Sequence, residues 1–416
     1  MSATVYLKRL PSIRDILRTS GVVTHFQPIL SARQKSIVGL EALSRGQMPG
    51  EDIISPTTLF RMAAEAGVTG GIETLCRQRA VENFSRLAAR SSDLTLFMNL
   101  HVAAEQTPFQ LAHQVEQLVA SAHVPPGNVA IEILEAEIED MGQVRALVNR
   151  LRSQGFLIVL DDVGAGFSNL DRVPLIKPDL LKVDRNLITH VDTDYHKRGT
   201  LKSLVDLGRK IGALVVAEGV ETEDEAMVAL ELGADLLQGY FLGHPRPVTS
   251  MIGEELTGAH ERVVALAKKF RGRMVEKINE RKLQHGRFGV IVAQILNQLE
   301  GARVEQFDDI LAATVQRYRS IECVYVLDHA GVQLTETVGN PAIRWRAHGG
   351  IFRPAPKGAD HSLKEYYFLL DMEPHRYTTE PYVSLASGGV SQTISSYFRE
   401  GQHGKTCVLC VDVLCD

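Results

Sequence analysis

The chain has 416 residues, of which 44% are hydrophobic and 23% are charged, and its formal net charge at pH 7 is −5. This composition is typical of a globular protein with one large domain and a second, smaller one. The slight acidic excess argues against a surface for duplex nucleic acid. No apolar run is long enough to span a bilayer, and the N-terminal residues lack the apolar core of a signal peptide. We therefore expect a cytoplasmic protein.

Between residues 23 and 245, short β-type runs alternate with helical patterns. We predict strands at His25–Leu30, Ile37–Leu43, Leu94–His101, Val129–Leu134, Leu157–Leu160, Leu180–Asp184, Leu214–Ala217 and Leu236–Phe241. We predict helices at Pro56–Ala66, Phe109–Ala122, Met141–Gln154, Arg198–Ile211 and Glu223–Leu232. Eight strands with mostly helical crossovers favour an α/β fold, a TIM-like (β/α)₈ barrel. Because the connection Ser31–Ser36 is too short for a helix, we expect the first strand to be antiparallel to the second.

Three segments follow from these patterns: a barrel at residues 1–250, connecting helices at 251–304 and a regulatory domain at 305–416. Glu254–Glu300 is rich in helix formers and carries one apolar stripe, which suits either a helix packed on the barrel or a signalling and dimer helix. Gly272 and Gly286 argue against a single unbroken helix there.

The last segment has the pattern of an α+β module with a helix before a mostly antiparallel sheet. We predict a helix at Gln306–Tyr318 and strands at Cys323–Leu327, Val332–Thr337, Val383–Leu385, Val390–Ser395 and Lys405–Val413. Cys407 and Cys410 lie three residues apart in the last strand and so face opposite ways. With no second pair or histidine spacing nearby, we do not expect them to form a metal or redox site.

The strand Leu157–Leu160 runs directly into two aspartates, Asp161 and Asp162, whose carboxylates would repel each other unless a cation lies between them. Other predicted strands of the barrel also end in polar side chains. These are Glu41, Asn99, Glu132, Lys182, Asp184, Glu218 and Gln238. A single such residue is usually a helix cap or an ion-pair partner. Because a TIM barrel collects all its strand ends at one rim, the whole set predicts an active site.

An oxygen-rich set of carboxylates and an amide, with no histidine or cysteine, selects Mg²⁺ or Mn²⁺ over zinc. Asp161 and Asp162 would allow two metal ions to lie close together, an arrangement that suits phosphodiester hydrolysis. Lys182 is then placed to orient the attacking water or to offset phosphate charge. A structural ion pair between Lys182 and Asp184 is the alternative. We expect Ca²⁺ to bind the same oxygens but to inhibit, because its looser coordination holds the water less well.

The motif Glu41-Ala42-Leu43, followed by Ser44 and Arg45, resembles the signature of the EAL-domain cyclic di-GMP phosphodiesterases. The resemblance continues in family order through the segments FQPI, FMNL, EILE, DDVGAG, KVD, AEGVET and QGYFLG and covers about residues 20–247. It implies hydrolysis of the bacterial second messenger cyclic di-GMP to linear pGpG by a homodimer. The ordered set is far more specific than the tripeptide alone.

The resemblance also implies a role for each matching residue. Glu41, Asn99, Glu132 and Asp161 resemble ligands of a first metal, and Asp161 with Asp162 those of a second. Lys182 and Glu218 resemble residues that hold the catalytic water and the waters of the second metal, so the expected catalytic residues are Lys182, Glu218, Glu41 and Asp161. Glu221 resembles a supporting acid, and Glu135 a residue that anchors the DDVGAG loop. Gln27, Leu43, Arg45 and Gln238 resemble contacts to the dinucleotide.

Three residues depart from the family pattern: Val163 and Ala165 replace Phe and Thr in the loop after the aspartates, and Leu134 replaces Thr. These departures leave every expected metal ligand in place. The alternatives to an active enzyme are a receptor that binds cyclic di-GMP or a partner without hydrolysis, and a different barrel metalloenzyme such as an enolase-superfamily lyase.

The region His361–Thr393 resembles the PAS-like/Cache (PDC) sensor modules, through a weaker match. Its aromatic residues predict a pocket for a small molecule, with ordinary core aromatics as the alternative. The residues in question are Arg344, Trp345, Tyr366, Tyr367, Tyr377 and Tyr382.

Overall fold

The computed structural model describes residues 12–47, 53–89, 93–101, 107–134, 141–165, 170–251, 255–343, 345, 354–372, 376–401 and 403–415. The chain divides into two compact units, Met1–Val275 and Glu276–Asp416, and each is described by itself. Within the described residues, no helix is both long and apolar enough to cross a membrane.

In its described residues, the first unit contains nine strands and ten complete α-helices. The strands are β1 Val22–Ser31, β2 Ser36–Gly46, β3 Thr95–Asn99, β4 Val129–Leu134, β5 Leu157–Val163, β6 Leu180–Val183, β7 Leu214–Ala217, β8 Leu236–Leu237 and β9 Arg246–Pro247. The helices are α1 Ile13–Arg18, α2 Pro56–Glu65, α3 Thr69–Ala88, α4 Pro108–Ser121, α5 Met141–Ser153, α6 Arg172–Ile176, α7 Arg185–Ile188, α8 Tyr195–Ile211, α9 Glu223–Leu232 and α10 Val248–Ser250.

Strands β1 to β8 close into a barrel in the order β2-β3-β4-β5-β6-β7-β8-β1, and β1 pairs again with β2. Strand β1 is antiparallel to both neighbours, while all pairs from β2 to β8 are parallel. The predicted TIM-like barrel and its antiparallel first strand are therefore confirmed. The eighth strand is shorter than predicted, because the chain turns at Gly239, whose φ of +159° borders the region that glycine favours.

A layer of apolar side chains crosses the barrel and forms a floor beneath the strand ends. The cluster consists of Ile29, Phe97, Ala130, Val159, Leu180, Val216 and Leu236, all buried. Strand β2 contributes Gly39 at this level, and a Cβ there would collide with the ring of Phe97. A second, larger cluster lies between the strands and the surrounding helices and includes Phe84, Leu147 and Leu201.

The long helix α11 runs unbroken from Leu256 to Glu300, so the prediction that Gly272 and Gly286 would interrupt it is wrong. A glycine costs about 1 kcal/mol in a helix interior, which packing at either end outweighs. Ala259, Val263 and Leu266 pack in the core of the first unit. Farther along, residues from Phe288 to Leu299 pack in the core of the second unit.

The second unit is an α+β domain built on an antiparallel sheet. Its helices beyond α11 are α12 Phe307–Arg317 and α13 Glu365–Phe368, and its strands are β10 Ile321–Leu327, β11 Val338–Gly339, β12 Arg376–Thr378, β13 Tyr382–Val383, β14 Val390–Arg399 and β15 Thr406–Leu414. The strand order is β11-β10-β15-β14-β12, with β13 also paired to β14. The predicted strand Val332–Thr337 is wrong, since this segment forms only isolated bridges. Strands β11 and β12 were not predicted.

Candidate active site

Lys182 lies at the centre of the barrel mouth, surrounded by acids from four other strands. Its Nζ atom is 2.5 Å from Glu218 Oε1, 2.6 Å from Glu132 Oε1, 3.3 Å from Asp161 Oδ1 and 3.5 Å from Glu41 Oε2. The Lys182 side chain is only 1% exposed and that of Glu132 is fully buried. The structure therefore brings four of the predicted acids together around the ammonium group of Lys182, which was also predicted.

The strand pleat explains how this convergence arises. Side chains two residues apart in a strand point to the same side, so a residue two positions beyond the apolar floor also faces the barrel interior. The pairs of floor and site residues are Gly39 and Glu41, Phe97 and Asn99, Ala130 and Glu132, Val159 and Asp161, Leu180 and Lys182, Val216 and Glu218, and Leu236 and Gln238. In the antiparallel β1, Gln27 precedes Ile29 by the same step.

Amide side chains hold two of the acids in place. Asn99 Nδ2 donates to Glu132 Oε2 at 3.0 Å. Gln238 Nε2 donates to Glu41 Oε2 at 2.5 Å and to Gln27 Oε1 at 3.2 Å, and Gln27 in turn donates to the carbonyl of Gly243. Because these amides fix carboxylate orientation before any ligand binds, the site is preorganised.

Burial and mutual repulsion raise the pKa of several acids in the cluster. Burial raises the pKa of Glu132 and of Glu218, an effect that Lys182 opposes and that neighbouring carboxylates reinforce. Burial, followed by the charge of Asp161, raises the pKa of Asp162 to about 6. Burial alone would lower the pKa of Lys182, but the surrounding carboxylates outweigh it and raise that pKa.

Four acids contact one ammonium and a fifth, Asp162, lies beside them, so acidic groups outnumber basic ones in this cluster, a composition that suits divalent cations. Oxygens of Asp161, Asp162 and Glu218 all lie within 4.8 Å of one another, a spacing compatible with shared metal coordination. Asp162 has a positive φ of 57°, and its N–H donates to Asp161 Oδ1 at 2.9 Å. This left-handed turn aims the two adjacent carboxylates differently, and the donor set fits oxygen-preferring metals.

The predicted dinucleotide contacts lie around the same mouth. Gln27, Leu43 and Gln238 line a cleft of about 210 Å³ together with Glu41 and Glu218. Arg45 and Leu43 line an adjoining hollow of about 230 Å³ that also includes Asn99. The guanidinium of Arg45 donates to the carbonyl of Ser44 at 3.0 Å.

Sequence reasoning missed two residues of the cleft, Arg185 and Tyr240. Arg185 directly follows the motif KVD and Tyr240 lies inside the motif QGYFLG, so motif position was the signal that could have found them. Arg185 also forms an ion pair with Glu221 at 2.8 Å, which places the expected supporting acid on the cleft wall.

The remaining predictions have mixed outcomes. Asp184 accepts the N–H of Asn186 as the cap of α7, and the ion pairs of Lys182 within the described residues do not include it. Val163 is buried in the core, while Ala165 is exposed. Glu135 lies outside the described residues.

The sequence model of the EAL domain matches residues 11–245, more than half of the chain. The chain belongs to the EAL-domain family. Among curated relatives of this EAL protein, the cyclic di-GMP phosphodiesterase RocR of Pseudomonas aeruginosa is 26% identical over 248 residues, covering 58% of this chain and 63% of RocR. The probable cyclic di-GMP phosphodiesterase PdeI of Escherichia coli is 29% identical over 243 residues, covering 58% of this chain and 31% of PdeI.

An uncharacterised protein of Azorhizobium caulinodans is 31% identical over 245 residues, covering 57% of this chain and 33% of its own length. The matches thus span less than two thirds of each of these three relatives. They relate the barrel of the EAL protein to domains that occur within longer chains.

Two solved structures extend the comparison. The Bacillus subtilis YkuI protein, which has an EAL domain and was determined with the substrate cyclic di-GMP and calcium, superimposes with a TM-score of 0.76 over 98% of this chain and 100% of that one, at 22% identity. The MucR phosphodiesterase of P. aeruginosa, in complex with cyclic di-GMP, has a TM-score of 0.53 over 58% of this chain and 98% of that one, at 27% identity. The YkuI likeness shows a shared fold over both units.

Proposed function

We propose that the protein hydrolyses one phosphodiester bond of cyclic di-GMP to give linear pGpG, using Mg²⁺ or Mn²⁺. The observation that carries this proposal is the ring of four acids around Lys182, at positions that resemble the metal and water ligands of the family. The relatives RocR and MucR, named as cyclic di-GMP phosphodiesterases, support the choice of substrate.

Glu41, Asn99, Glu132 and Asp161 would hold one metal ion, and Asp161, Asp162 and Glu218 a second. When bound, such a pair of ions activates a water and stabilises charge on the departing oxygen. The close approach of the Asp161, Asp162 and Glu218 oxygens supports the second group. Asn99 would turn its amide oxygen toward a cation, since only its nitrogen now contacts Glu132.

Lys182 and Glu218 have the geometry to position the attacking water. The ammonium donates three hydrogen bonds, and it lies 2.5 Å from Glu218, which is the least buried of its partners at 17% exposure. With metal ions held by Glu41, Glu132 and Asp161, Lys182 would be placed to donate hydrogen bonds to the water and to a phosphate oxygen. Glu218 would hold the water from the solvent side.

The cleft walls suit a dinucleotide. Arg45 supplies a permanent positive charge for phosphate or a guanine edge, and Gln27 and Gln238 supply amides beside the reacting centre. Leu43 lies between the two hollows and offers an apolar contact for a base. Specificity for a cyclic substrate would come from both hollows being filled at once.

The second unit would act as a PAS-like/Cache-like regulatory domain, and the protein would work as a cytoplasmic homodimer. An antiparallel sheet with helices on one face and a cavity on the other supports a sensory role. The buried Val163 in the DDVGAG loop is the position where we expect regulation to differ from that of relatives.

The test is product analysis with purified full-length protein, cyclic di-GMP and either Mg²⁺ or Mn²⁺, in single-turnover reactions resolved by chromatography. We expect pGpG from the wild type and none from Glu41→Ala. A matched control is Glu65→Ala, which removes an exposed acid paired with Arg61 on α2 and should leave turnover unchanged. Calcium should support binding with poor turnover.

Saturable binding of cyclic di-GMP without pGpG under either metal would overturn the enzyme and favour the receptor. Absence of both binding and product would remove the substrate assignment as well.

A further inference from the structure

The sheet of the second unit has one apolar face and one polar face. The apolar face includes Val324, Ile394 and Val411 and packs against the helices. The opposite face carries Cys323, Tyr325, Thr393, Ser395, Cys410 and Asp412. Most of these polar side chains are buried, and some are satisfied within the chain, such as Cys323 by Asp412 and Ser395 by the carbonyl of Tyr366. A buried polar atom on this face that has no such partner therefore indicates where a ligand would bind.

A cavity of about 600 Å³ lies over this polar face. Its lining among the described residues includes Glu322, Tyr325, Trp345, Tyr366, Tyr382 and Asp412. Three of the aromatic residues that the sequence predicted for a pocket, Trp345, Tyr366 and Tyr382, are thus placed around one space, whereas Tyr367 and Tyr377 are not part of its described lining and Arg344 lies outside the described residues. That volume accommodates a small organic molecule.

Glu322 is the residue that indicates what the cavity holds. It is 1% exposed, its Oε2 accepts the hydroxyl of Ser391, and its Oε1 has no hydrogen-bond partner within the described part of the chain. A buried carboxylate oxygen without a partner is costly, so a ligand that supplies positive charge or a strong donor is favoured there.

A second acid, Asp412, lines the same wall, and its Oδ2 accepts the thiol of Cys323 at 3.2 Å. Among the described residues, the basic members of the lining do not neutralise these acids. Lys364 is exposed at the edge. Both ring nitrogens of His361 are occupied, by Tyr366 and Gln333, and burial lowers the pKa of His361.

Aromatic rings complete the cavity. Tyr325 packs edge-on against Tyr366, with ring centroids 6.4 Å apart, and both line the space with Tyr382 and Trp345. The negative faces of such rings attract cations, most strongly where water is excluded. Trp345 packs over Gly339, where an added Cβ would collide with its ring.

We propose that this cavity binds a small organic cation, an amine or an alkylammonium compound, with its charge on Glu322 and its carbon atoms against the aromatic rings. The acids would attract any cation, but the rings and the volume select an organic one over a metal ion. Within the described residues, the groups of three or more side chains close enough to hold a metal lie in the first unit. The inference rests on the second unit alone and stands whether or not the barrel hydrolyses cyclic di-GMP.

The chain offers a direct probe, because Trp345 is its only tryptophan. We would titrate the full-length protein with choline, and separately with 3,3-dimethylbutan-1-ol, which has the same shape without the charge. Choline should change the tryptophan emission in a saturable way, and the neutral compound should bind at least about tenfold more weakly. A series of primary amines and diamines, titrated in the same way, identifies the preferred shape.

The variant Glu322→Gln should weaken choline binding by at least about tenfold, since it keeps the shape and removes the charge. Glu305→Gln is the matched control, because Glu305 is exposed and does not line the cavity. Circular dichroism and tryptophan emission without ligand report whether the Glu322 variant folds. If it does not fold, the comparison of charged and neutral compounds on the wild type decides.

Three results would overturn the proposal. The first is equal binding of choline and its neutral isostere, and the second is saturable binding of acetate or of Mg²⁺ or Ca²⁺ alone with no response to any ammonium compound. The third is no response at all to the amine and ammonium series at millimolar concentration. Activity on cyclic di-GMP is measured separately, so a failure of either assay is distinguishable from a failure of the other.

Discussion

The two units bury carboxylates in opposite ways. At the barrel mouth, Glu41, Glu132, Asp161 and Glu218 all contact the ammonium of Lys182. On the polar face of the second sheet, Glu322 is as deeply buried, yet its partner is a hydroxyl and one oxygen has none within the described residues. The difference shows that the first site carries its own counter-charge before any ligand binds, whereas the described residues around Glu322 supply no such charge.

The strongest test of the comparison is Lys182→Met. Removing one partner of a buried ion pair leaves uncompensated charge and costs about 3–5 kcal/mol, so we expect a loss of that size in the free energy of unfolding. Chemical denaturation measures it, and added Mg²⁺ should recover part of the loss. Lys202→Met, which removes an exposed pair with Asp206, should change stability by less than about 1 kcal/mol. Equal effects of the two variants would contradict the role of Lys182.

The second sheet should respond to pH instead. Burial raises the pKa of Asp412 to about 6 from its ordinary value of 3.8. The folded state therefore holds this proton more tightly than the unfolded state, and stability falls as pH rises from about 4 to about 6. Asp412→Asn should raise the free energy of unfolding by about 1–3 kcal/mol at pH 7. Urea denaturation at several pH values measures this.

The gain from Asp412→Asn should shrink as the pH is lowered from 7 to 5, because the wild-type carboxyl then becomes neutral as well. A gain that is independent of pH would mean that the carboxylate charge is not the cause. The control is Asp308→Asn, because Asp308 does not line the cavity.

A smaller effect is expected where an amide orients a metal ligand. Gln238→Leu removes the hydrogen bond to Glu41 Oε2, and such partners typically change metal affinity by about 10- to 100-fold. Calorimetric titration with Mn²⁺ in the absence of cyclic di-GMP separates this effect from any contact with substrate. An unchanged affinity would show that Glu41 keeps its orientation without Gln238.

The smallest effect concerns the helix that both units share. Gly272 lies in the interior of α11 with no heavy atom near the place of a new Cβ, so Gly272→Ala should stabilise the protein by about 0.5–1 kcal/mol. Thermal denaturation measures the shift. A decrease in stability would indicate that this position needs backbone freedom.

The sequence predicted much of the barrel, because buried parallel strands read as apolar runs and their polar ends recur in family order. Lys182 and its four acids could be named before their distances were known. Their mutual contacts could not, because they depend on long-range strand register. Arg185 and Tyr240 could have been named from their motifs, but their place on the cleft wall depends on the same register.

The second unit was less predictable for a physical reason. Its antiparallel strands bury both faces, so the polar face of β10, β14 and β15 did not show the usual alternation of buried and exposed residues. Glu322 stands beside a register irregularity between Ile321 and Cys323, which strand periodicity does not anticipate. The unbroken helix α11 was not predicted, because the free-energy cost of its two glycines was considered without the tertiary packing at its ends.

The two-residue step between the barrel floor and the active-site residues restricts how this protein can vary. Deleting or inserting one residue between Val159 and Asp161 would turn the carboxylate to the outside of the barrel, because side chains alternate along a strand. A change of length within a strand is therefore far more damaging than a substitution. We expect insertions and deletions among related chains to collect in the loops and helices, and the strands to keep their length to the residue.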